Sequence, residues 1–170
     1  VPVMIFSGNH VKKDIPKIIT TFKKNNKSSI NFSYTTPLSQ KNNFINLVQE
    51  NIKKKIKDLK KRNICLVVLA SNTINLKAKQ QMATIGKKIK TFYNLTNYKV
   101  LMVGADKLII RKHLSNLSNN YRSTDFLLLP IFLFRGRLLS SCIETAQQLN
   151  KNTKQFYLLP HFNNYEKITK

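Results

Sequence analysis

Apolar residues along this chain come in two alternating patterns, and the alternation predicts the fold class. Continuous runs such as "ICLVVLA", "YKVLMVG" and "DFLLLPIFLF" have the form of strands buried on both faces of a parallel sheet. With shorter runs of the same kind they predict strands at 1–6, 30–35, 64–70, 98–103, 125–132 and 155–159. Between them apolar residues recur every three or four positions, which predicts helices over 11–25, 42–62, 75–94, 107–118 and 137–150. In the first helix Ile15, Ile18, Ile19 and Phe22 share one face, with lysines opposite. In the basic run 50–63, Ile52, Ile56 and Leu59 do the same and leave a solvated Lys face. Strands alternating with helices give an α/β architecture, parallel sheets with flanking helices joined by right-handed crossovers.

The pattern also repeats. Residues 1–21 align with 129–149 without a gap, through Pro2 and Pro130, Phe6 and Phe134, Gly8 and Gly136, and Ile15 and Ile143. With one gap, "SYTTP" (33–37) aligns with "FYLLP" (156–160). Long-period self-similarity marks a duplicated supersecondary unit. The later copy follows two further strand–helix pairs at 64–124, and the earlier copy has no such preamble. The expected organisation is two pseudo-repeats, the first N-terminally incomplete: 1–60 is the C-terminal half of the first, and 61–170 is a complete second. A chain opening on a strand-like run without Met fits a fragment, a processed product or a partial gene model. Phe6, Phe132 and Phe134, at the ends of apolar runs, read as core.

Charge changes the picture only in part. Thirty Lys and Arg against seven Asp and Glu give a net charge of +23. Nucleic-acid binding, attraction of an acidic small substrate and genomic composition each account for such an excess. The cations are mostly Lys, they are spread along the chain, and Asn and Ile are abundant as well. These are the residues that A+T-rich codons specify, so composition is favoured over a specific nucleic-acid site. The same bias points to a plastid (chloroplast stroma) or to the cytoplasm of an A+T-rich bacterium. The longest apolar run, 126–134, is interrupted by Pro130 and falls far short of the roughly 20 residues that span a bilayer. No stretch reads as a secretory signal. Cys65 and Cys142 sit inside predicted elements and read as buried, reduced thiols. Without GxGxxG, GxxxxGK[ST], HExxH, CxxC or GxSxG, the usual nucleotide, zinc and serine-hydrolase readings are excluded.

The candidate chemistry lies in "VPVMIFSGNHVKKDIP" (1–16). This stretch resembles the Pro-Leu-Phe-Leu-x-x-Gly-x-His-x-x-x-Asp-Ile-Pro segment of the sirohydrochlorin chelatases of CbiX/SirB type. "YTTPLSQKNNFINLVQENI" resembles the segment that follows it in that family, and "LPIFLFRGRLL" the same strand and loop in a second repeat. The resemblance implies a chelatase-like, flavodoxin-like layered fold. It also implies a lyase that inserts Fe²⁺ or Co²⁺, as substrate metal and with no tightly bound cofactor, into sirohydrochlorin or a related anionic tetrapyrrole. His10 would serve as pyrrole base or metal ligand, with Gly8, Asn9, Lys12 and Lys13 binding substrate. An imidazole with a pKa near 6.5 suits either role, and a loop beyond the carboxyl end of a parallel strand is where open α/β sheets bind ligands.

Departures from the family pattern qualify the second repeat. Leu138 stands where the first copy has His10, and Ala70 or Ser71 stands where the family's other His, in a His-Gly-Ser turn, would lie. The second repeat therefore reads as scaffold, and the site is expected around His10. Asp14, in a first helical turn, reads as structural. His113 is an ordinary polar helix position, and His161 follows the last strand near the family's cleft loop. Two readings stay open: a working chelatase, or a non-catalytic or fragmentary tetrapyrrole-binding remnant. A homodimer pairing exposed sheet edges fits either reading, and nothing points to a membrane.

Overall fold

The computed structural model describes residues 5–6, 10–25, 30–33, 36–41, 43–59, 63–104 and 106–162, with the backbone alone for residues 10, 11, 51, 54 and 58. A single π-wound turn, His10–Asp14, leads into helix α1, Ile15–Asn25. A 3₁₀ turn, Leu38–Gln40, precedes α2, Asn43–Asp58. Then come β1 (Ile64–Ser71), α3 (Leu76–Phe92), β2 (Asn97–Val103), α4 (Lys107–Asn120), β3 (Asp125–Pro130), α5 (Arg137–Thr153) and β4 (Phe156–Leu158). The four strands form one parallel sheet in the order β2-β1-β3-β4. Each of these helices and strands, from α1 onward, lies where the periodicity predicts one.

Both faces of the sheet are covered, which is why its strands read as unbroken apolar runs. On one face Ile64, Leu66 and Val68 of β1 and Leu127 and Leu129 of β3 pack with Phe44, Val48 and Ile52 of α2 and Ile85 and Ile89 of α3. On the other, Cys65, Val67 and Leu69 pack with Ile110 and Leu114 of α4 and Cys142 and Ala146 of α5. As the heptad spacing requires, Ile52 and Leu59 are buried while Lys53 and Lys57 stay in water. The Tyr93 hydroxyl donates to the Gln49 carbonyl and joins α3 to α2. Helix α2, read as the end of the first unit, thus packs in the core beneath the second unit's sheet.

Two expected strands differ. Ile5 and Phe6 form a bend rather than a strand, with the Ile5 carbonyl accepting from the Ser39 N–H at 2.9 Å; residues 1–4 lie outside the described residues. Residues 30–33 run exposed without strand pairing, and 34–35 are outside the described residues. Alternating apolar residues give a chain the right faces for a sheet but not the neighbouring N–H and C=O groups that make a strand. Helix α1 forms as predicted, but none of its residues is buried, and Ile18 is 66% exposed.

Candidate active site at the carboxyl rim of the sheet

In the order β2-β1-β3-β4 the connections diverge between β1 and β3, and a crevice opens beyond their carboxyl ends. Its walls are loop 72–75 after β1 and loop 131–136 after β3. Both are built by local hydrogen bonds. The Asn72 N–H donates to the Val103 carbonyl at 2.9 Å, the Thr73 hydroxyl accepts from the Asn75 N–H at 3.1 Å, and the Asn75 side chain caps α3 by accepting from the Ala78 N–H at 3.1 Å. Across the crevice, the Ile131 N–H donates to the Leu69 carbonyl at 2.8 Å. This bond holds the second loop beside the end of β1. Asp106 caps α4 through the Leu108 N–H at 2.8 Å.

Phe6, four residues ahead of His10, packs at this rim. That ring packs against the small cluster of Ala70 at the end of β1, and Ala78 and Met82 of α3. His10 follows four residues later, so its backbone lies within about 14 Å of this anchor. Gly8 and Asn9 lie outside the described residues, and His10 is described through its backbone alone. His10 opens the π turn, a rare winding that gathers at functional positions. Its cause is local: Pro16 has no N–H for the carbonyl four residues back, so a regular α ladder cannot run through this point. Lys12 and Lys13 stand exposed on the turn.

The remaining candidates separate. The Phe162 N–H donates to the Phe132 carbonyl at 3.1 Å, which sets half-buried His161 beside loop 131–136. His113 is exposed on α4, as predicted. It lines a cavity of about 540 Å³ that runs along the β2 edge from Met102 to Tyr121, with Lys99 and Asn116. Leu138 packs against the core. Cys65 and Cys142 are unbridged and buried, as read from the sequence; burial pushes both thiols up to about 11, offset slightly at Cys65 by Lys99. Among the described residues no three His, Cys, Asp or Glu side chains gather as a metal site, and no helix is long and apolar enough to cross a membrane.

One expectation is overturned. Phe6 and Phe132 are partly buried against the cores, but Phe134 is 69% exposed. It stands at the tip of loop 131–136, where the Gly136 N–H turns back to its carbonyl at 3.0 Å. Sequence reasoning passed over its neighbours Arg135 and Arg137. The signal was present: only five of the 30 cations are Arg, and two of those flank Gly136.

A parallel α/β layer with its loops gathered at a switch-point crevice defines an α/β protein of the open-sheet class, and comparison with known proteins narrows it. Residues 1–55 match the family model CbiX. The structure is similar to the sirohydrochlorin chelatase SirB from Bacillus subtilis subspecies spizizenii in complex with cobalt (TM-score 0.66, 17% identity, covering 96% of this chain and 62% of that one). It is also similar to SirB from Bacillus subtilis with Fe3+ (TM-score 0.71, 16% identity, 98% and 65%). A probable maltose operon transcriptional repressor from Staphylococcus aureus is similar at TM-score 0.53 and 11% identity, over 92% of this chain and 53% of that one. No curated protein sequence matches. The chain spans less than two thirds of each of these structures. A repressor shares the layered fold, so fold alone does not fix activity. The CbiX match covers the segment that contains His10, and the SirB structures share the fold.

Proposed function

We propose that this chain is a sirohydrochlorin metal chelatase-like protein that places a divalent ion, Fe²⁺ or Co²⁺, into the tetrapyrrole as a lyase. The carrying observation is that Gly8-Asn9-His10, with Asp14-Ile15-Pro16 behind it, falls inside the segment matching CbiX. The SirB structures that share the fold hold cobalt or iron, which supports a metal of this kind as substrate. Insertion exchanges two pyrrole N–H protons for one M²⁺, releasing two H⁺. A neutral imidazole at His10 takes up a pyrrole proton or hands over the metal, and both roles need the ring nitrogen's lone pair free. Gly8 and Asn9 would let the backbone approach the ring, and Lys12 and Lys13 would draw its carboxylates. Specific nucleic-acid binding has no part in this reading.

The remnant reading is favoured by one observation: the second half has Leu138 in place of the loop His and Ala70-Ser71 in place of the other. The unpaired outer edge of β2, which pairs with β1 alone among the described residues, supports association of two chains. The Lys, Asn and Ile bias supports a plastid or an A+T-rich bacterial cytoplasm. The test is absorbance-followed insertion of Fe²⁺ and Co²⁺ into sirohydrochlorin by the parent chain and by His10→Ala. Insertion lost in the variant, with an unchanged circular dichroism spectrum, carries the chelatase reading. Equal insertion by both removes His10 from the mechanism, and none by either leaves the remnant.

A further inference from the structure

We infer that the second half, having lost its histidines, still seats the substrate. Ile74 and Phe134 support the apolar plane of the macrocycle, and Arg135 and Arg137 hold its carboxylates. This rests on the tetrapyrrole reading above and deepens it. Single exposed apolar residues need no explanation. Here Ile74 (85% exposed) and Phe134 (69%) stand on the two loops flanking the switch-point crevice, and Leu76 (71%) opens α3 directly after the first. The bond from the Ile131 N–H to the Leu69 carbonyl holds the start of the second loop beside β1, so both loops leave the sheet at the same rim. An apolar patch at such a place, rimmed by polar groups, marks a binding surface.

Charge selects the occupant. Residues 71–77 (SNTINLK) and 131–137 (IFLFRGR) contain no Asp or Glu. Two acids of the neighbouring helices are already engaged: Asp106 accepts from the Leu108 N–H, and Glu144 is paired with Lys107 at 3.1 Å. Both guanidiniums are exposed and have no ion pair among the described residues. A guanidinium offers paired N–H donors matched to a carboxylate, which an ammonium does not, and in this Lys-dominated chain two of the five Arg stand here. A flat apolar body with a carboxylate periphery satisfies both features; a purely apolar ligand or a bare anion satisfies one. The repeat adds geometry. Arg135, Gly136, Arg137 and Leu138 occupy the places of Ser7, Gly8, Asn9 and His10 in the first half. One loop therefore carries the metal chemistry, and its counterpart carries recognition.

The test is titration of metal-free uroporphyrin, a polycarboxylate porphyrin, into the 170-residue chain, followed by Soret absorbance and porphyrin fluorescence. Because the three side chains are exposed, Phe134→Ala and the double variant Arg135→Gln/Arg137→Gln should fold as the parent does, checked by thermal melts. Lys87→Gln/Lys88→Gln, an equal charge change on the exposed face of α3, controls for general attraction. Expected are affinity losses of about tenfold for Phe134→Ala and about a hundredfold for the double Arg variant. The Lys control should stay within about twofold. An Arg variant no weaker than the Lys control overturns the seat while leaving the chelatase reading to its own insertion assay. Arg-dependent binding without insertion by the parent upholds the seat and sinks that reading. A parent that binds no porphyrin at all overturns both.

Discussion

Gln155 offers the sharpest test of how this sheet is closed, because one buried amide joins three elements. Its Oε1 accepts from the Ser118 hydroxyl of α4 at 2.6 Å, and its Nε2 donates toward the carbonyls of Tyr121, Arg122 and Thr124 at 3.1, 2.7 and 3.1 Å. Its own carbonyl accepts from the Phe126 N–H at 2.7 Å and starts the β3–β4 pairing. Replacing Gln155 with Leu keeps the volume and strips the polar partners. The Tyr121 and Arg122 carbonyls sit in an exposed turn and can turn to water, whereas the bond to the Thr124 carbonyl is buried and Ser118 loses its acceptor. One orphaned buried carbonyl and one lost hydroxyl bond cost about 2–4 kcal/mol together. Gln155→Glu adds a pH signature. Its carboxylate would face carbonyl oxygens, which cannot donate to it, so the folded state raises its pKa above the unfolded value near 4.3. A group with a raised folded pKa has its stability present below the unfolded value and lost as pH rises through the folded one. The deficit against the parent should therefore be small at pH 4 and grow toward pH 7. Urea unfolding followed by circular dichroism at several pH values measures both variants. If Gln155→Leu stays within about 0.5 kcal/mol of the parent, or the Glu deficit is flat with pH, the network does not hold the corner as described.

The other expectations are briefer. Gly86→Ala should cost about 1 kcal/mol net in the same urea assay, because the gain in helix propensity is outweighed by a Cβ set into the Tyr98 ring; a stabilised variant would show that ring to be mobile. With both thiols pushed up to about 11, only about one in a thousand is thiolate at pH 8. Ellman's reagent should therefore label neither Cys65 nor Cys142 until urea unfolds the chain, and prompt labelling in buffer would contradict their burial. Hydrogen exchange read by mass spectrometry should show α1 exchanging at least tenfold faster than α5, since α1 buries no side chain and short helices are marginal without packing. Equal protection would mean that α1 is covered.

The sheet was legible because its residues answer to two faces at once. "ICLVVLA" has to be apolar at every position, since Leu66 and Val68 meet α2 and α3 while Cys65, Val67 and Leu69 meet α4 and α5. The same logic misread 30–35, where Ile30 and Phe32 alternate as strand residues do but stand exposed; pattern reports which side chains could share a face, not whether a partner strand is within reach. At the rim, "LPIFLF" ended in an aromatic that looked continuous with its run. Pro130 is the last residue of β3, however, and beyond it burial falls away through Ile131 and Phe132 to Phe134, which stands exposed. Composition hid the arginines by counting them with lysines, although their fork geometry is what distinguishes them. The π turn at His10 had a readable cause in Pro16, but its site meaning came from resemblance rather than spacing.

The π turn also explains how two matching sequences acquire different registers. Aligned without a gap, Ile15 falls on Ile143, which is only half-buried in α5. A π turn accommodates one residue more than an α turn. Shifting α1 by that residue sets Ile15, Ile18, Ile19 and Phe22 over Cys142, Thr145, Ala146 and Leu149, of which the first three are buried and the last half-buried. The apolar face of α1 is then the face that α5 turns to its sheet. The extra residue lies in the π turn His10–Asp14, ahead of that face, so the periodicity of the helix itself is undisturbed. In the second half α5 starts directly at Arg137, without a π turn, and the loop carries Arg rather than His. Helix register and loop chemistry thus changed together between the halves.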